Sequence, residues 1–208
     1  MRQSVEHGPS PWWAGFLLTS PLRRLVHDPR EILSPFVKEG MRVLEPGPGR
    51  GFFTLELARL VGPNGRVFAP ELHAASVSGL KRRAERAKLG DRIDARQASR
   101  FLLGIDDLAG AIDFAFSFAV AHEVADPERF FGEIVHALAP EALLLLVEPE
   151  GHVSIEHFEA LTAAAVSSGL TVMTAGPKID GSHVVLLRNA RCADRASEAA
   201  TLAPPPAR

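Results

Sequence analysis

Three glycines at alternate positions, Gly47, Gly49 and Gly51, stand just behind an acid, Glu45, and the acid closes a short apolar run through Val43 and Leu44. Glycine lets a backbone turn through left-handed conformations and lets a ligand approach with no Cβ in the way. A helix-like stretch, Phe52 to Val61, follows at once. Its first N–H groups have no partner within the helix. Strand, glycine loop and helix in this order form a cradle for a nucleotide cofactor. The spacing narrows the ligand. A dinucleotide cradle reads G-x-G-x-x-G with an acid about 20 residues later. Here the pattern is G-x-G-x-G and an acid precedes it. The Lys followed by Ser or Thr that ends a P-loop is also missing. An acid at this strand end repels a pyrophosphate and suits a cationic ligand, which disfavours a nicotinamide-dependent dehydrogenase.

Further polar residues fall where apolar segments end. Glu71 closes the run from Arg66, with Leu72 behind it, about 20 residues past Gly51. An ionised carboxylate accepts through two oxygens, so it can take both hydroxyl hydrogens of a ribose. Pro70, just before it, removes one backbone donor. Ser99 lies in Ala98-Ser99-Arg100 after a third apolar segment, and Phe118-Ala119 precede His122 and Glu123 after a fourth. Histidine titrates near neutrality and can take a proton from a reacting group. Glu148, Glu150 and His152 make a polar rim after a fifth segment. Each has a plainer reading: Glu71 as a solvated loop acid, His122 and Glu123 as members of a local turn, Glu148 as a structural group.

Glu45 followed by Gly47, Gly49 and Gly51 matches the first motif of the class I S-adenosylmethionine-dependent methyltransferases. The chain resembles that family over roughly residues 10–188. The resemblance implies S-adenosyl-L-methionine as cofactor, with Glu45 near its methionine amino group and Glu71 on its ribose. It implies a cofactor pocket drawn from Gly47, Pro48, Gly49, Gly51, Leu72, Ser99, Phe118 and Ala119. Ser99 stands where many relatives carry an acid toward the adenine amino group. His122 and Glu123 are the candidate catalytic residues facing the acceptor. Methyl transfer from a sulfonium is an in-line displacement in which the donor carries the activation, so the protein chiefly orients the reactants and excludes water. A base is required only when the acceptor must lose a proton. No metal is expected, because neither a zinc-ligand spacing nor a carboxylate and amide cluster is present.

The elements that must position these residues alternate. Strands are expected at Met41–Glu45, Arg66–Glu71, Arg92–Gln97, Ile112–Phe118 and Ala142–Val147, the last apolar throughout, as in a strand covered on both faces. Helices are expected at Pro29–Lys38, ended or kinked by Pro35, at residues 51–61, at Ala74–Leu89 with Gly90 as its cap, at Pro127–Leu138 and from Ser154 to Ser168. Asp28, Asp126 and Ser154 are the expected N-caps. Ile155, Phe158, Leu161, Ala165 and Val166 form the expected apolar side of the last helix. Leu170–Ala175 and His183–Leu187 are read as a closing strand pair. The fold class is therefore α/β, a Rossmann-like methyltransferase fold: a mostly parallel sheet with an antiparallel last strand and helices on both faces. Residues 1–40 read as an N-terminal helical or lid segment containing Trp12 and Trp13, residues 41–188 as the methyltransferase domain, and residues 189–208 as a disordered tail.

A net charge of -2 gives no electrostatic case for nucleic acid or an anionic membrane. The run Lys81, Arg82, Arg83 and Arg86 reads as a solvated helix face. A single cysteine, Cys192, forbids an intrachain disulfide, and a cytoplasmic setting fits. The acceptor is expected to be a small molecule. The alternatives are a protein or RNA acceptor, or a non-catalytic protein that binds the cofactor or its demethylated product.

Overall fold

In the computed structural model, residues 28–173 and 176–190 are described. The expectations for Trp12 and Trp13 and for residues 191–208 lie outside them. Strands β1 (Arg42–Leu44), β2 (Arg66–Glu71), β3 (Ile93–Gln97), β4 (Ile112–Phe118), β5 (Leu138–Pro149), β6 (Leu170–Val172) and β7 (Ser182–Asn189) form one seven-stranded sheet in the order β3-β2-β1-β4-β5-β7-β6. β1 pairs parallel with both β2 and β4, and β7 pairs antiparallel with β5 and β6. The chain builds outward from β1 to β3, then returns to place β4 on the other side of β1. Such a reversal opens a crevice beyond the carboxyl ends of the two central strands. This is the expected fold.

Helices α1 (Pro29–Leu33), α2 (Thr54–Leu60) and α3 (Ala74–Arg86) contribute to one apolar cluster, and α4 (Pro127–Ala137) and α5 (Ile155–Ser167) to the other. The central strands alternate between them. Phe114 and Phe116 of β4 and Leu145 and Val147 of β5 enter the first cluster, while Ala115, Leu144 and Leu146 enter the second. Two buried faces explain why β5 reads as an unbroken apolar run. The three expected caps are in place: Asp28 accepts from the Arg30 amide, Asp126 from Arg129 and Ser154 from His157.

Several boundaries differ from the sequence reading. α1 stops at Leu33, since Pro35 cannot continue it. α2 begins at Thr54, because the residues after Gly51 are still turning. α3 stops at Arg86, and the left-handed residue that ends it is Lys88, with φ of 56°, in place of Gly90. There the Lys88 amide donates to the Glu85 carbonyl and the Leu89 amide to that of Ala84, which fills the last carbonyls of the helix. β5 starts at Leu138, with a register irregularity against β4 before Leu143. β6 ends at Val172, and residues 174–175 are not described. Ile155 and Val166 are exposed, so the buried stripe of α5 is Phe158, Leu161 and Ala165. β7 runs through Asn189, which is fully buried and donates to the carbonyls of Leu138 and Ala139, each at 3.0 Å.

Phe131 is fully buried in α4, edge-on to Phe130 at 5.2 Å. Phe131→Ala should cost about 3–5 kcal/mol of unfolding free energy. Denaturant melts of the two proteins measure it.

Candidate cofactor and acceptor site

The glycine loop leaves β1 through three left-handed residues, Gly47, Gly49 and Gly51, with φ of 63°, 55° and 83°. Its amides are tied down. Gly47 donates to the Pro70 carbonyl at 2.9 Å and Gly49 to Glu71 Oε2 at 3.0 Å. The Gly51 amide reaches the carbonyl of Pro48, a buried residue. Glu71 is buried, and its other oxygen accepts from the His73 amide at 2.8 Å. A carboxylate has about four acceptor positions. Two of them are spent on backbone amides that fix its direction, and the rest suit a diol. Glu45 is also buried, and its amide donates to the Phe68 carbonyl at 2.8 Å.

The three glycines have different reasons to be glycine. A Cβ on Gly47 would lie 2.5 Å from Val120 Cγ2, and one on Gly51 would lie 2.4 Å from Leu80 Cδ1. A Cβ on Gly49 would meet nothing within 4 Å. The outer two are close-packing positions. The middle one opens onto free space beside the Glu71 carboxylate.

On the same rim, Leu72 is exposed after β2, and its carbonyl accepts from the Gln97 side-chain amide at the end of β3. Ser99 spends its oxygen on a local turn, accepting from the amides of Leu102 at 2.9 Å and Phe101 at 3.3 Å. Phe101 and Leu102 are exposed there. This turn therefore presents apolar surface, with the hydroxyl expected for adenine already engaged.

The β4 side is built differently. Phe118 is half-buried and packs on Phe53, with ring centroids 4.8 Å apart. Ala119 follows with φ of 57°, a left-handed conformation rare outside glycine. That kink sends the chain sideways, so that Val120 covers Gly47. The turn ends on a buried carboxylate. Glu148, fully inaccessible at the end of β5, accepts at Oε1 from the amides of Ala121 at 2.8 Å and Val120 at 3.3 Å. Its Oε2 lies 2.5 Å from His122 Nδ1. Glu123 is exposed, 3.9 Å from His122 Nε2. The hydrogen bond to Glu148 raises the His122 pKa above its ordinary value against the opposing effect of burial, and the charges of Glu148 and Glu123 add to the rise. The two candidate catalytic residues thus share one turn, but Glu148, not Glu123, holds the imidazole. The sequence carried a faint signal for this: an acid directly after a strand covered on both faces is rarely buried without a partner.

A family model described as a methyltransferase domain matches residues 37–181. The chain belongs to the class I S-adenosylmethionine-dependent methyltransferase family. A wheat (Triticum aestivum) protein-L-isoaspartate O-methyltransferase is 34% identical over 101 residues, 47% of this chain and 44% of the wheat protein, so the match spans less than half of that relative. The crystal structure of an S-adenosylmethionine-dependent methyltransferase from Aquifex aeolicus superposes with a TM-score of 0.75 at 23% identity, covering 85% of this chain and 97% of that one. A methyltransferase solved in complex with the Haloferax volcanii activator Trm112 gives 0.66 at 18% identity, covering 86% and 96%. These two likenesses concern the fold.

S-adenosyl-L-methionine is the family's cofactor, and the residues present fit it: an open glycine, a buried acid behind the loop and a half-satisfied carboxylate placed for a diol. Among the described residues no group of three or more His, Cys, Asp or Glu is arranged to hold a metal ion, and no helix is long and apolar enough to cross a membrane. Gly49→Ala should fold, at a conformational cost of about 1–2 kcal/mol, yet lose at least about tenfold in affinity for S-adenosylhomocysteine, roughly 1.4 kcal/mol. Gly51→Ala should lower the melting temperature further, because its Cβ strikes Leu80. Calorimetric titration and thermal melting of both variants test the division of roles.

Proposed function

We propose that this protein transfers the methyl group of S-adenosyl-L-methionine to a small-molecule acceptor whose nucleophile carries a proton. The observation that supports this reading best is the open space at Gly49 beside the oriented carboxylate of Glu71. Glu45, Gly47, Pro48, Gly49 and Gly51 hold the methionine end. Glu71 accepts from the ribose hydroxyls, and Leu72 and the Ser99 turn flank the adenine. Phe118 and Ala119 wall the pocket toward the acceptor. Bound there, the cofactor supplies an electrophilic methyl group on a sulfonium. The chain's own residues orient the two reactants, keep water out with the Phe53–Phe118 pair and offer His122 as proton acceptor. Glu123 sits on the exposed rim, where it biases the charge around the imidazole.

The preference for a small molecule rests on the net charge of -2, which supplies no general pull on a polyanion. Of the basic run on α3, Arg83 is committed to the Arg50 carbonyl at 2.6 Å, so it braces the glycine loop from outside. A second reading, a protein acceptor, is favoured by the wheat relative, an isoaspartate O-methyltransferase. A carboxylate acceptor is already ionised at neutral pH and would leave the raised basicity of His122 without a use, so the protic acceptor is preferred.

Calorimetric titration with S-adenosylmethionine and S-adenosylhomocysteine should give micromolar or tighter binding of at least one. Glu71→Ala should weaken it by about 1.5–3 kcal/mol, the range for a hydrogen bond to a charged group. Unchanged affinity would remove the ribose role. Formation of S-adenosylhomocysteine is then followed with hydroxyl and thiol compounds and, separately, with an isoaspartyl peptide. Turnover of the peptide alone would favour the protein reading, and acceptor-dependent turnover of either kind would dismiss a non-catalytic binder.

A further inference from the structure

Glu148 is a charge buried where charges are costly unless paired. Among the described residues three donors converge on it, from the four residues that follow β4: two backbone amides on Oε1 and the His122 ring on Oε2. The turn they belong to opens with the left-handed Ala119, a conformation that persists only where surrounding structure enforces it. Its enforcement is visible. The Ala119 amide donates to the Val147 carbonyl at 2.8 Å, and the next two amides go to the carboxylate one residue further along the same strand. The same turn packs Val120 against Gly47. One acid therefore shapes the wall beside the glycine loop and orients the imidazole.

The geometry points to Glu148 as the positioning residue of the site: one oxygen clamps the turn after β4, and the other accepts a hydrogen bond from the Nδ1–H of His122, leaving the Nε2 lone pair as the base for the acceptor's proton. This rests on the methyl-transfer reading for its use but not for its geometry. A hydrogen bond at one ring nitrogen sets which tautomer is present, and a carboxylate can only accept, so Nδ1 carries the hydrogen. In the reaction, the acceptor's O–H or S–H proton passes to Nε2 and its lone pair forms the bond to the methyl carbon. The carbon–sulfur bonding pair stays on sulfur. The imidazolium so formed is stabilised by the Glu148 charge 2.5 Å from its other nitrogen. Among the described residues, the charged groups acting on His122 are Glu148 from β5 and Glu123 from its own turn. His183, opposite Glu148 on β7, has its Nε2 on the Val153 carbonyl at 3.0 Å and its ring on Phe158. α4 and α5 pack on the turn without adding a charge to its titration.

The test is a nuclear magnetic resonance titration of the full chain labelled with nitrogen-15 in histidine, with His122→Gln identifying the signal. The His122 ring should titrate above the ordinary histidine value and, once neutral, hold its proton on Nδ1. In Glu148→Gln the midpoint should fall to the ordinary value or below, with S-adenosylhomocysteine affinity kept within about threefold, or 0.7 kcal/mol. If Glu148→Gln does not fold, melting curves of the native protein and His122→Gln against pH decide. The folded-state pKa of His122 is raised, so the stability the pair contributes is full below about pH 6.5 and is lost as pH rises through the raised value. The gap in melting temperature between the two proteins should therefore shrink toward alkaline pH. An ordinary His122 midpoint, a proton on Nε2, a midpoint indifferent to Glu148→Gln or a pH-independent gap each overturns the assignment. Loss of S-adenosylhomocysteine binding in the native protein would instead overturn the cofactor cradle and leave the histidine result standing.

Discussion

The carboxylate of Glu71 accepts one hydrogen bond from the amide of Gly49 and another from the amide of His73, bridging the loop after β1 and the loop after β2. Much of the site depends on that bridge. A loop with three left-handed glycines in five residues has many other conformations open to it, because glycine restricts the chain least. What selects this one is tertiary. The end of β2 supplies the Pro70 carbonyl for Gly47 and the Glu71 carboxylate for Gly49, so the loop is held against the strand beside it while Leu80 and Val120 close on its two ends.

The other half of the crevice repeats the device. β1 and β4 are the central pair, and each is followed by a turn that passes through left-handed residues, glycines after β1 and Ala119 after β4. Each turn is held by an acid on its outer neighbour, Glu71 on β2 for the first and Glu148 on β5 for the second. The strand order that creates the crevice thus also places a buried carboxylate on each side of it. The two turns meet where Val120 covers Gly47, so a change in one wall is felt at the other.

How much of this the sequence disclosed follows from which contacts are local. The strand–glycine–helix unit was legible because its parts are contiguous, and the apolar run of β5 announced a strand buried on both faces. The N-caps Asp28, Asp126 and Ser154 were legible because each bonds within three residues. Ends set by tertiary contact were not. Lys88 ends α3 although Gly90 is the better-suited residue nearby, and the residue it turns inward, Leu89, is buried. Asn189 belongs to β7 because Leu138 and Ala139 offer carbonyls to its side chain across about 50 residues of sequence, a separation no local pattern records. Ser99 follows β3 as expected, but its hydroxyl is taken by the turn it starts, a local competition common for serine.

The two buried acids differ in a way that assigns their work. Glu71 receives two backbone amides, leaving acceptor positions suited to a neutral diol, so it can act on a ligand directly. Glu148 receives two amides and a titratable ring, and it has no exposed surface through which a ligand could reach it. Any influence it has on a reaction must pass through His122 or through the turn it clamps. Removing the charge while keeping the shape would consequently leave the wall of the pocket in place and alter the basicity and tautomer of the imidazole. Deleting the whole side chain would release the turn as well, and Val120 with it. The same residue therefore separates two properties that are usually confounded in a buried acid, the support of a backbone conformation and the tuning of a neighbouring base, because each is carried by a different one of its oxygens.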